Sequence, residues 1–144
     1  MAVSVFIARR IDAPLFSNVE DGVFDAAPRP ELVERHLAAP HLHIAVAVNG
    51  NRMIGMCSGV VIHHPDAPEA WWIDRIGVAP GWRGQGIAGR MVQVCTDHAR
   101  RLGCREIRVA AEPADRAAAF WQRLGWVPTG GKRAIFACDL GMSP

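Results

Sequence analysis

Trp71-Trp72-Ile73-Asp74-Arg75-Ile76-Gly77-Val78 breaks at Ala79-Pro80-Gly81-Trp82 and continues into Arg83-Gly84-Gln85-Gly86-Ile87-Ala88, where a long amphipathic pattern begins. The first run reads as a strand, and the residues from about Gly84 to Leu102 read as a helix. A strand, a short loop rich in glycine and arginine, and a helix N-terminus together make a holder for pyrophosphate. The N–H groups of a first helical turn have no intrahelical acceptor and point outward. The helix dipole places partial positive charge at the same spot. Glycines remove the side chains that would keep a phosphate away.

Working outward, Val3 to Arg9 alternates apolar and polar residues as a first strand does. Asp12 to Phe24 is a weak helix or a loop. Pro30 to Leu37 predicts a short helix, with proline in its first turn and Leu32, Val33 and Leu37 on one side. His41 to Val48 and Arg52 to His63 are antiparallel strands joined at Asn49-Gly50, a strong hairpin turn. The helix after Arg83 is predicted to bury Ile87, Met91, Val94, Cys95, His98 and Leu102 and to stop at Gly103. Glu106 to Ala111 predicts a strand, Ala114 to Leu124 a second long helix stopped by Gly125, and Arg133 to Leu140 a last strand. Antiparallel strands followed by strand–helix–strand–helix–strand predict one α/β (α+β) domain over residues 1–144.

A chain of 144 residues, half of them hydrophobic, builds one globular domain with a sizeable core. No apolar run approaches the ~20 residues that span a membrane, and Met1 to Arg10 does not read as a signal peptide. A net charge of +2 gives no argument for nucleic acid and suits an anionic small ligand. Cys57, Cys95, Cys104 and Cys138 form no C-x-x-C pair and read as buried free thiols in a reducing cytoplasm. Nothing here sets the oligomer; a homodimer is one option. His41, His43, His63 and His64 lack the three or four convergent ligands that zinc requires. One of His63 and His64 is a better candidate for lining an acceptor cleft. Strand alternation places one of Trp71 and Trp72 in the core and the other outward, as a candidate substrate platform.

Two nucleotide readings of the glycine loop fail on residues. A dinucleotide fold wants a third glycine and a place after the first strand, not the fourth. A Walker loop wants Lys then Ser or Thr where Ile87 and Ala88 stand. The segment instead resembles the acyl-CoA site of the GNAT superfamily of N-acyltransferases, whose pattern Arg/Gln-x-x-Gly-x-Gly/Ala is met by Arg83, Gly86 and Ala88 after the strand exit Val78-Ala79-Pro80. Glu112-Pro113, Ala117, Phe120-Trp121 and Leu124-Gly125-Trp126 resemble the family's second motif. His64-Pro65-Asp66 and Glu112-Pro113 add a looser similarity to the branch that contains aminoglycoside N-acetyltransferases.

The resemblance implies a GNAT fold: a mixed, mostly antiparallel central sheet, splayed between its fourth and fifth strands and flanked by helices. It implies acetyl-CoA as co-substrate, with the pyrophosphate on the amides of Arg83, Gly84, Gln85, Gly86, Ile87 and Ala88. The pantetheine arm would lie along Ile76, Gly77 and Val78, with Trp121 beside the cofactor. Unpaired amides in the splay are costly if buried, and pantetheine amides can satisfy them. The implied activity is acetyl transfer to a primary amine of a small molecule by direct attack. An acyl-CoA-binding module with little catalysis and a protein N-acetyltransferase are the rival readings.

The chemistry needs a neutral amine. An alkyl amine of pKa ~10.4 is about 0.1% neutral near pH 7.4, a penalty of roughly 4 kcal/mol, so a base must take its proton. Many relatives carry a carboxylate three residues before the valine that ends strand four, and that position is Arg75 here. Asp74 is adjacent, though strict alternation points it to the opposite face. Glu69 and Glu112 are the other candidates for the base. Trp121 occupies the usual place of a tyrosine acid, and the chain has no tyrosine at all. An indole N–H donates a hydrogen bond but is no acid near neutral pH. A thiolate of pKa ~8.5 can leave without full protonation.

Overall fold

The computed structural model describes residues 2–111, 116–130 and 135–141. Contacts group them into two units, Met1–Ala110 and Ala111–Pro144, and each is described by itself.

The first unit is a five-stranded sheet in the order β1-β2-β3-β4-β5, formed by Val3–Ile7, Leu42–Asn49, Arg52–Ile62, Ala70–Val78 and Glu106–Val109. The first four strands make an antiparallel meander, and β5 joins β4 in parallel through the helix α2, Ile87–Arg101. The Asn49-Gly50 turn works as predicted, with Gly50 at φ +65°. A 3-10 helix, Arg10–Ser17, and α1, Pro30–Ala38, fill the connection from β1 to β2.

The sheet is apolar on both faces. On one, Phe16, Val23, Ile44, Val46, Met53 and Met56 make a buried cluster onto which Leu15, Val33 and Leu37 pack. On the other lies α2, which buries Ile87, Met91, Val92, Cys95 and Ala99. Of the predicted set, Val94 and His98 are only half-buried and Leu102 is 45% exposed, because α2 ends at Arg101; Val92 and Ala99 are buried instead. The stop is a Schellman arrangement: Gly103 takes φ +86° and the Cys104 N–H reaches back to the Ala99 carbonyl at 3.0 Å.

β4 departs from strict alternation. Ser58 pairs with Arg75 and Gly59 with Ile73, so Asp74 is the extra residue of a β-bulge. The bulge resets the side-chain period. Trp71 and Val78, seven positions apart, would otherwise face opposite sides of the sheet. Trp71 meets His98 of α2, and Val78 pairs with Gly55, whose missing Cβ would lie 3.1 Å from Met91 of α2. Both residues therefore serve the α2 face.

In the second unit α3 spans Arg116–Arg123, and Gly125 ends it at φ +86° with the Trp126 N–H on the Trp121 carbonyl at 3.1 Å. The last strand predicted over Arg133 to Leu140 is corrected: 135–141 carry no strand, and Ile135, Phe136 and Leu140 are exposed. An alternating pattern becomes a strand only with a ladder partner, and these residues have none among those described. Arg133 itself lies outside the described residues.

Candidate functional site

The β4–β5 ladder runs from Ala70↔Glu106 to Ile73↔Val109 and stops at the bulge. From Asp74 to Val78, β4 keeps β3 on one side and has no strand on the other among the described residues. Strand-edge amides and carbonyls need partners when they are covered. One partner comes from the loop: Arg83 Nε donates to the Val78 carbonyl oxygen at 3.0 Å. Ile76, Gly77 and Val78 thus lie together along this open edge.

The edge leads straight into the glycine loop. A short 3-10 turn, Pro80–Trp82, is followed by Gly84 at φ +76° and Gly86 at φ +80°, and α2 begins at Ile87. Gly86 is the N-cap and has no side chain to cap with; its carbonyl takes the first helical bond, from the Arg90 N–H at 3.1 Å. The N–H groups of Ile87, Ala88 and Gly89 therefore have no helical acceptor. A Cβ at Gly84 or Gly86 would meet nothing within 4 Å, and Arg83 to Gly86 are exposed, so the mouth of the loop is open. The Arg83 N–H is turned onto the Pro80 carbonyl at 3.4 Å.

Asp74 and Arg75 both emerge exposed at the bulge, with Arg75 Nε 3.9 Å from Asp74 Oδ2 and Arg75 Nη1 3.6 Å from Asp25 Oδ2. The expectation that alternation would part them fails because Asp74 is itself the extra residue of the bulge. His36 of α1 feels the charge of Asp74, which works against the burial that pulls its pKa down. Across the sheet face, a Cβ on Gly77 would sit 2.3 Å from the carbonyl oxygen of Val23. Gly77 is what allows the loop carrying Asp25 to seat on β4. Sequence reasoning missed Asp25 and His36; a glycine inside a strand was the available signal of close backbone approach.

Glu69 is placed elsewhere. It precedes β4, pairs with His63 Nδ1 at 3.4 Å, and stands roughly 20 Å along the strand from Ile76 at ~3.3 Å per residue. Its own backbone N–H, then His63, hold its carboxyl below the usual range, which makes it a weaker proton acceptor. Trp71 is fully buried, while Trp72 turns outward into a cavity of about 420 Å³ shared with His64, Glu69 and Arg108. The Arg108 guanidinium lies 5.5 Å from the Trp72 ring centre. In the second unit Trp121 is buried, its ring 4.9 Å from that of Phe120 and 4.7 Å from that of Trp126. Glu112 lies outside the described residues. No helix among the described residues is long and apolar enough to cross a membrane.

Residues 10–126 match the acetyltransferase (GNAT) family. The chain is 28% identical over 136 residues to the N-alpha-acetyltransferase RimI of Mycobacterium tuberculosis, covering 93% of this chain and 84% of that one. Its fold superimposes with a TM-score of 0.80 on an aminoglycoside acetyltransferase, meta-AAC0020, from an uncultured soil metagenomic sample, at 18% identity and 96% coverage of both chains. A TM-score of 0.77 relates it to AAC(6')-Iy in complex with a CoA bisubstrate analog, at 19% identity and 96% and 99% coverage.

Proposed function

This chain belongs to the acetyltransferase (GNAT) family, and on that premise we propose that it moves the acetyl group of acetyl-CoA onto the primary amine of a small molecule by direct attack. The observation that carries the reading is the continuity of the open β4 edge with the glycine loop at the start of α2. The loop amides from Gly84 to Ala88 would take the pyrophosphate, with dipole and free N–H groups acting together. Ile76, Gly77 and Val78 would pair with the pantetheine amides in place of a strand. An N–H of β4 would stabilise the oxyanion as the amine nitrogen bonds to the thioester carbon. Collapse breaks the C–S bond, CoA departs as thiolate, and the new amide nitrogen loses its proton. With tryptophan at position 121, water protonates the thiolate afterwards.

Asp74 is the favoured base, since the bulge puts its carboxylate beside the open edge while Glu69 is a strand's length away. Glu112 is kept as an alternative. A second reading, acetylation of a protein α-amine, draws on the 28% likeness to an N-alpha-acetyltransferase.

The donor site is tested by calorimetry with CoA on the wild type and on Gly86→Glu. The new side chain strains a residue held at φ +80° and sets a carboxylate against the phosphates, so affinity should fall at least tenfold. Unchanged affinity would sink the assignment. Thiol release over a panel of free amines and N-terminal peptides then separates the two acceptors. Release with peptides alone refutes the small-molecule reading. For the base, Asp74→Asn should lower kcat at neutral pH and leave the KM for acetyl-CoA alone.

A further inference from the structure

A second cavity, of about 340 Å³, opens where β1 ends and β2 begins. Its titratable lining is entirely basic: Arg9, Arg10, His36, His43 and His98, with alanine, leucine, isoleucine and proline making up the rest. That volume suits a small organic ligand. The site lies away from the glycine loop, since His98 is about 16 Å along α2 from Ile87 at ~1.5 Å per residue.

Two of the histidines are linked. His98 Nε2 and His43 Nδ1 stand 3.3 Å apart, so one donates to the other. Whichever donates, His43 Nε2 is turned into the protein, and the Pro40 carbonyl acts on the same ring. Behind the pair, Trp71 stacks on His43 at 5.2 Å and meets His98 edge-on at 5.9 Å, and an aromatic face favours an imidazolium over an imidazole.

We propose that this cavity is a second ligand site that takes a small carboxylate with a short apolar body. The carboxylate would face the Arg9 and Arg10 guanidinium groups at the rim and lie beside the linked His43–His98 pair, with its hydrocarbon against the aliphatic lining. Binding would be coupled to proton uptake. Burial first, and neighbouring positive charge with it, pulls the pKa of His43 and His98 below the usual histidine value. The surrounding charges are His36 and His41 beside His43, Arg101 beside His98, and Asp74 beside His36. Asp12 is turned onto the Arg9 backbone N–H at 2.7 Å. A hydrogen bond to the Pro40 carbonyl favours the charged form of His43. An incoming carboxylate raises the pKa of the pair, so between the free and bound values each complex gains up to one proton. Affinity then rises by up to tenfold for each unit the pH falls.

The test is titration of the full chain with hexanoate, read by calorimetry at pH 6, 7 and 8 and by the imidazole NMR signals of the histidines. Hexylamine serves as the cationic control. Saturable hexanoate binding that moves the His43 and His98 signals and tightens severalfold per unit of falling pH supports the proposal. Arg9 and Arg10 are exposed, so Arg9→Ala with Arg10→Ala preserves the fold and should weaken binding at least threefold. His43→Leu should abolish it. Unmoved imidazole signals, affinity independent of pH, or hexylamine binding as tightly as hexanoate overturns the site. The readout requires no acetyl transfer, so its failure and that of the transferase reading are distinguishable.

Discussion

Gly77→Ala tests whether the β4 edge and the loop over it are held in one arrangement. A Cβ there would stand 2.3 Å from the Val23 carbonyl oxygen and 3.2 Å from its carbonyl carbon. A relaxed C···O contact is about 3.3 Å, so one backbone must move by about 1 Å. Neither moves freely. Gly77 is held by its pairing with Met56 in the β3 ladder. The Val23 loop is tied by the Val23 N–H on Glu20 at 3.4 Å and the Glu20 N–H on Met53 at 2.8 Å. Overpacking of this kind costs about 1–3 kcal/mol. At ~2–4 °C per kcal/mol for a chain of this length, the melting temperature should drop by about 2–12 °C.

The control is Gly81→Ala, where a Cβ meets nothing within 4 Å and φ is not positive. That change should shift stability by less than about 1 kcal/mol. Thermal and urea melts of the three proteins give the comparison, with CoA affinity measured alongside. A loss of both stability and affinity means that β4 has moved; a loss of stability alone means that the Asp25 loop has moved. Gly77→Ala melting within 1 °C of wild type would refute the close approach itself.

Gly59→Ala should be at least as damaging in the same urea melt, because its Cβ would lie against the indole nitrogen of Trp71, a fully buried ring that cannot swing away. Cys57 and Cys95 are fully buried, and the hydrogen bond from Cys95, then burial, pushes the Cys57 thiol far above the ordinary range. Timed thiol labelling at pH 7.5 should therefore modify the exposed Cys138 at once and reach Cys57 and Cys95 only in denaturant. His36, His43 and His98 all have folded pKa values below the unfolded 6.5, chiefly through burial. The unfolded chain thus binds more protons as the pH drops through 6.5, so their contribution is complete above that pH and is lost below it. Urea midpoints between pH 8 and 5 should fall on the acid side, and the fall should be shallower in His43→Gln.

The sheet order, the Asn49-Gly50 hairpin, α2 and the glycine loop were legible because each is written in local chemistry. Alternation marks the strands, φ-permissive glycines mark the turns, and apolar residues at three and four mark the buried stripe of α2. What was not legible depends on contacts distant in sequence. Asp25 meets Arg75, and His36 meets Asp74, only because the loop and α1 fold back over the sheet. Leu102 was expected inside on periodicity alone, but the helix stops one residue earlier. Ile135 and Phe136 carry the apolar character of a strand, yet a strand is a pairing and not a property of one segment.

The bulge at Asp74 is where these two kinds of information meet. From Trp71 to Val78 the apolar pattern has no single period, and read as one strand it places Asp74 and Arg75 on opposite faces. One extra residue resolves the pattern, because Trp71 and Ile73 before it and Val78 after it can then share the α2 face. The same residue is where β5 stops pairing, at Ile73↔Val109. It is also where two charged side chains reach solvent side by side. The irregularity that keeps the core continuous thereby opens the edge that leads to the glycine loop and sets a carboxylate beside it. A departure from strand period next to a glycine-rich helix start is thus a sequence signal in its own right. It locates the place where, among the described residues, the sheet gives up a strand partner.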